Sequence, residues 1–341
     1  MRAIAVIPTL ALAILAVAAL TPSGATETAS PPAHTAEAPD FWGHWGDGKA
    51  EVIGYQLEYP RYGEIRQGTA VTIFVNEDFA DSVGVKHEDP SRDRSRVYPA
   101  MKLNWIQDFP TGVYDYSLMT SVFSSLAEHR GRPAGSIGKV SFSSQEWCGH
   151  VYAQLLFNGV SADLTSHSYF DGEADQKRSF SNQKEGLPED AVLLWARGLA
   201  GPKLAPGESR EIPILRSLER SRLIHVDVDW QEGTAARGGS SSTIQVPAGE
   251  FTVDRYTLTL PAAKAKKLYP VGRGAVTLPA RTWTIEVETE FPHRVVRWSR
   301  DDGLKAEMIG KTRMPYWGMN RNGYEAALEE IGLKRRPPRT P

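Results

Sequence analysis

Residues 143–171 read SSQEWCGHVYAQLLFNGVSADLTSHSYFD, and this stretch decides how the chain is interpreted. It holds the only cysteine and two of the eight histidines. Asn158-Gly159 lies between apolar residues, a strong signal for a two-residue hairpin turn. Before it, Trp147, Val151, Ala153, Leu155 and Phe157 share one parity. Glu146, Cys148, His150, Tyr152 and Gln154 share the other. Side chains alternate faces along a strand, so the polar set is expected on one face. If Asn158 and Gly159 are the whole loop, Phe157 pairs with Val160. His150 then lies opposite His167, Cys148 opposite Tyr169, and Glu146 opposite Asp171. Directly opposed residues have Cβ atoms about 5 Å apart.

Three chemistries fit that arrangement. His150, His167, Cys148 and Asp171 offer imidazole, thiolate and carboxylate donors that suit zinc, or copper in an exported protein. Cys148 can also be read as a catalytic nucleophile, with His150 or His167 as its base and Asp171 orienting the histidine. Glu146, Tyr152 and Tyr169 are the candidate binding residues beside them. The bland alternative is a hydrogen-bonded polar patch. Asp171-Gly172-Glu173-Ala174-Asp175 has acidic spacing but lacks a full calcium-loop pattern, and such runs are usually solvated turns. Gly138-Lys139 and Gly310-Lys311-Thr312 lack the first glycine of a phosphate loop, and neither a nucleophile elbow nor an H-E-x-x-H helix is present.

Around this stretch the chain reads as an exported β protein. Arg2 followed by the apolar run Ala3 to Leu20 and the small residues Ser23-Gly24-Ala25 predict a signal peptide over 1–25, with a membrane anchor as the alternative. No later segment reaches the ~18 apolar residues of a membrane-spanning helix, so no anchor is expected after cleavage. The chain has 341 residues and a formal charge of −2, which gives no footprint for nucleic acid. One cysteine cannot close an internal disulfide in an oxidising compartment.

Residues 26–40 are expected to be a flexible spacer. Phe41 to Gly48 is dense in aromatics and glycine, and is expected to plug an open end of the fold. Strand-like runs follow, among them Val52 to Tyr59, Thr69 to Val75 with Val71, Ile73 and Val75 on one face, Met101 to Phe109, and Val113 to Phe123. Pro188 to Arg197 carries helix start and stop signals. Gly201 to Ser209 is a candidate boundary between an N-terminal lobe, 41–200, and a C-terminal lobe, 208–333. In the second half, Ile224, Val226, Val228 and Trp230 alternate with polar residues as a half-buried strand would. Gly233 to Ser242 reads as a loop, and Asp302-Gly303 as a hairpin turn. Tyr324, Ala327, Leu328 and Ile331 recur at helical spacing after Asn322, and Gly332 stops them. Residues 334–341 form a basic tail. The expected fold class is mainly β: curled antiparallel sheet, half-barrel or barrel-like, with two short peripheral helices.

Val246-Pro247-Ala248-Gly249-Glu250-Phe251-Thr252-Val253, Phe291-Pro292-His293-Arg294 and Asp302-Gly303 resemble a pattern in bacterial periplasmic domains similar to lipoprotein-carrier proteins. The resemblance covers roughly 241–310 and implies an incurved sheet, a periplasmic location and an apolar or lipid ligand. FWGHWGDGKAE, EWCGHVY and SYFDGEAD also resemble a set of secreted bacterial proteins of unknown function, some labelled septum formation inhibitor Maf. The Ser-Pro-Arg-Arg motif of true Maf proteins is missing, so that label is not carried over. The expected function is an exported binding or carrier-like protein for a small apolar molecule or lipid. A metal- or thiol-dependent enzyme and an envelope interaction protein are the alternatives.

Overall fold

The structure is a computed structural model that describes residues 40–270, 272 and 274–335. The expected signal peptide, nearly all of the spacer and residues 336–341 of the tail lie outside the described residues. Among the described residues, no helix is long and apolar enough to cross a membrane.

The chain enters through α1 (Phe41–Trp45) and runs into β1 (Ala50–Arg61), β2 (Glu64–Ala80), the short β3 (Val85–Lys86), β4 (Val97–Thr111) and β5 (Tyr114–Ser125). β6 (Ile137–Glu146), β7 (Gly149–Phe157), β8 (Ser161–Ser168) and β9 (Gln176–Ser181) continue as a meander. Then come β10 (Leu187–Pro188), α2 (Val192–Ala196), β11 (Ser209–Leu215) and α3 (Leu218–Ile224). The second half supplies β12 (Trp230–Arg237), β13 (Ser242–Val246), β14 (Gly249–Leu260), β15 (Ala263–Lys266), β16 (Ala275–Leu278), β17 (Arg281–Glu288), β18 (Val295–Arg300) and β19 (Lys305–Met314). A 3-10 helix over Tyr324–Ile331 follows.

The strand ladders link β10, β11, β12, β14, β17, β18, β19, β1, β2, β4, β5, β6, β7, β8 and β9 side by side. β3 and β13 add to the flanks of β2 and β14. Among the strands of the described residues, only the β10–β11 pair is parallel. The sheet curls without closing into a barrel, as the strand-rich sequence predicts. The spans 41–200 and 208–333 share this sheet, because β1 pairs with both β19 and β2.

Alternation builds the interior. Leu103, Trp105 and Phe109 of β4, Tyr116, Leu118 and Val122 of β5, and Trp283, Ile285 and Val287 of β17 all point inward and are buried. Trp105 meets Trp283 and Trp298 edge-on at 5.9 and 5.5 Å between ring centroids. Phe41 and Trp45 of α1 join the same core, as an end plug should, while Trp42 is exposed.

The helix expected over 188–197 is present in shortened form, and it is buried in the core rather than peripheral. All five residues of α2, VLLWA, are buried, because they occupy the hollow of the curl and not its surface. The expected strand Ile224 to Trp230 is also different. Ser217 caps α3 by accepting from Arg220 N–H, so helix continues to Ile224 and a regular strand begins only at Trp230. Val226 and Val228 are still buried, but Val226 forms only an isolated bridge to Lys267. Gly233, expected in a loop, lies within β12.

Candidate functional site

The central stretch forms two turns, not one. Glu146 pairs with Gly149, so Trp147 and Cys148 are the loop between β6 and β7. Glu146 Oε2 accepts from Cys148 N–H at 2.6 Å and closes that loop. Trp-Cys is no turn signature; the available clue was Gly149, whose φ of +155° suits glycine. The apolar parity therefore fails at Trp147, which is exposed at the tip and stacks on Tyr114 at 6.1 Å.

The Asn158-Gly159 turn exists, but with four loop residues. Phe157 pairs with Ala162, and Asn158 Oδ1 accepts from the N–H groups of Val160 and Ser161. That asparagine side chain stabilises the wider loop. Consequently Tyr152, and not His150, lies opposite His167. His150 instead receives the backbone N–H of Tyr169 at 3.2 Å. Each partner has moved by two positions, which preserves parity, so His150, Tyr152, His167 and Tyr169 still share the outer face.

The proposed zinc or copper ligands do not come together. Glu146 is turned inward beside Arg222 at 3.7 Å, with its side chain 2 % exposed, while His150 faces out. His167 Nδ1 is 2.7 Å from Asp175 Oδ1. Cys148 is exposed at its tip and Asp171 sits in an exposed loop. Among the described residues, no group of three or more His, Cys, Asp or Glu side chains is placed to hold a metal ion. The acidic run at 171–175 is likewise split: Glu173 is buried and engages His225 Nδ1 at 2.6 Å and Ser168 Oγ at 3.2 Å. For the thiol reading, the hydrogen bond and charge of Glu146 push the Cys148 pKa up, which favours the protonated form over the nucleophilic thiolate.

A different site lies on the outer face of β1 and β2. Val52, Val71 and Ile73 form one wall of a cleft of about 590 Å³. Met314, Tyr316, Met319, Tyr324 and Leu328 line it from the C-terminal segment. Arg321, Glu325 and Arg335 add the charged groups, with Arg335 paired to Glu325 at 2.8 Å. Ile331 anchors the segment, packed with Ala50, Val52 and Val75. Both sides have visible sequence causes. The parity of Val71, Ile73 and Val75 puts an apolar strip outside, and the Tyr324–Leu328–Ile331 spacing gives the covering helix its apolar stripe. Met314, Tyr316 and Met319 carry no periodic signal and were missed.

No family model, curated protein or solved structure matches this chain.

Proposed function

We propose that the protein is a binding protein for a small apolar or amphipathic molecule, such as a lipid chain, held in the cleft beside the C-terminal segment. The observation that carries this reading is the cleft itself. Its volume falls within the ~300–1,000 Å³ range of ligand pockets, and its lining is mostly apolar with a few polar groups, the usual composition. Two methionines give the wall side chains that adapt to irregular apolar shapes. Arg321 offers a cation to an acidic head group. Among the described residues, α2 and packed aromatics occupy the interior of the curl. A carrier of this kind thus holds its ligand on the outside of the sheet. The signal-peptide reading of residues 1–25 puts it in the periplasm or outside the cell.

Titration with a fluorescent fatty acid tests the assignment. Saturable binding is expected, and Ile73→Trp, which fills the cleft, is expected to weaken it at least tenfold. Native mass spectrometry of freshly purified protein gives an independent measure, as an added mass removed by organic extraction. No fatty-acid binding together with no bound mass would sink the assignment.

A further inference from the structure

We propose that a second site, on the polar outer face of the sheet, binds an extended neutral oligosaccharide. It adjoins the apolar cleft, sharing Val71, Leu328 and Arg335 at one end, but its occupant is argued from the polar row and not from the ligand of that cleft. Strand register sets six polar side chains in one row. Gln56 pairs with Thr69, Thr69 with Asp108, Asp108 with Ser117, Ser117 with Gln145, and Gln145 with His150. The row crosses β1, β2, β4, β5, β6 and β7 at right angles to the strands. At about 4.8 Å per strand, five steps span roughly 24 Å.

These six residues line a groove of about 880 Å³. Trp147 stands in its lining near His150, and Leu328, Leu333 and Arg335 line it from the C-terminal segment. Gln56 donates to Glu307 at 3.0 Å. Thr69, Asp108, Ser117, Gln145 and His150 make no side-chain hydrogen bond to other described residues, so their donors and acceptors face the groove.

The chemistry selects the occupant. Amides and hydroxyls both donate and accept, and a carboxylate accepts, which matches a chain of sugar hydroxyls. Exposed Trp147, backed by Tyr114, supplies a flat apolar surface for a sugar ring. A nucleic acid would need a cationic track along the whole row, whereas Lys334 and Arg335 stand only at the C-terminal segment and Asp108, Asp115 and Glu146 are acidic. A peptide adding as a strand needs open backbone groups, but every strand beneath this row is paired on both sides.

Isothermal titration of the whole protein with cellohexaose and with chitohexaose tests the proposal. At least one is expected to bind and to change tryptophan fluorescence. Trp147→Ala and Asp108→Ala are each expected to weaken binding at least fivefold, with circular dichroism unchanged. Ser117→Trp, at an exposed position in mid-groove, blocks the site without removing a packed residue and should abolish binding. Ile73→Trp, in the apolar cleft, should leave sugar affinity within twofold. Failure of both sugars to bind at millimolar concentration overturns the proposal, as does binding that survives all three groove variants. Neither result bears on the fatty-acid titration.

Discussion

Gly54 and Gly310 face each other across the β1–β19 ladder, and the backbone of Ile331 lies directly on both. A Cβ on Gly54 would sit 2.1 Å from Ile331 O, and one on Gly310 would sit 2.5 Å from Ile331 C. Two absent side chains therefore let the C-terminal segment settle on the sheet and form the apolar cleft. Gly310→Ala is expected to lift that segment, cost about 1–3 kcal/mol in stability as overpacking does, and weaken fatty-acid binding. Thermal unfolding and probe titration measure the two effects. An alanine variant with unchanged stability and affinity would contradict the close packing.

The buried pair Glu51 and Arg197 predicts a strong coupling. Arg197 Nη1 donates to Glu51 Oε1 at 2.6 Å, and the guanidinium lies 4.1 Å over the Phe74 ring. Arg197→Met leaves a buried carboxylate without this partner and should cost about 3–5 kcal/mol. Glu51→Gln in the same chain should return part of that loss. A double-mutant cycle in urea reads the coupling, and strict additivity would refute it.

Neighbouring acids in the core predict a stability maximum at mildly acidic pH. Burial alone would raise the Glu189 pKa, but Arg281 and Arg220, with hydrogen bonds from Trp283 and Ser217, bring it down to about 2. Its contribution is present above the unfolded carboxyl pKa and is lost as pH falls towards 2; the shift is worth roughly 3 kcal/mol. Asp190 is opposite in sign. Burial, then the Glu189 charge, raises its pKa well above the ordinary value. Its contribution is full below the unfolded pKa and declines as pH rises towards the folded one. Urea midpoints measured against pH should fall on both sides. Glu189→Gln should flatten the acid limb and Asp190→Asn the other.

Cys148 should alkylate readily but only at alkaline pH. Its thiol is exposed, while Glu146 pushes its pKa up. The iodoacetamide rate profile should lie to the alkaline side of that of a free cysteine peptide. Glu146→Gln should move it back towards neutrality, whereas a wild-type profile centred below the peptide's would remove the assigned role of Glu146.

The sequence by itself determined the β class, the outward strip Val71–Ile73–Val75, the apolar stripe of Tyr324–Ile331 and the turn at Asn158. Each is local: strand and helix periods, and the turn preferences of asparagine and glycine, act over a few residues. It also determined which side chains of β7 and β8 share a face, since parity survives a register change of two. Tertiary structure decided the rest. Loop length at Asn158 set which residues oppose one another, and the turn at Trp147-Cys148 separated Glu146 from His150. Burial of α2 followed from curling the sheet around it. The apolar cleft and the polar row arise where residues as distant as Val71 and Leu328, or Gln56 and His150, are brought into one surface. Neither local propensity nor periodicity encodes such meetings, because they depend on how the whole sheet twists and on what packs against it.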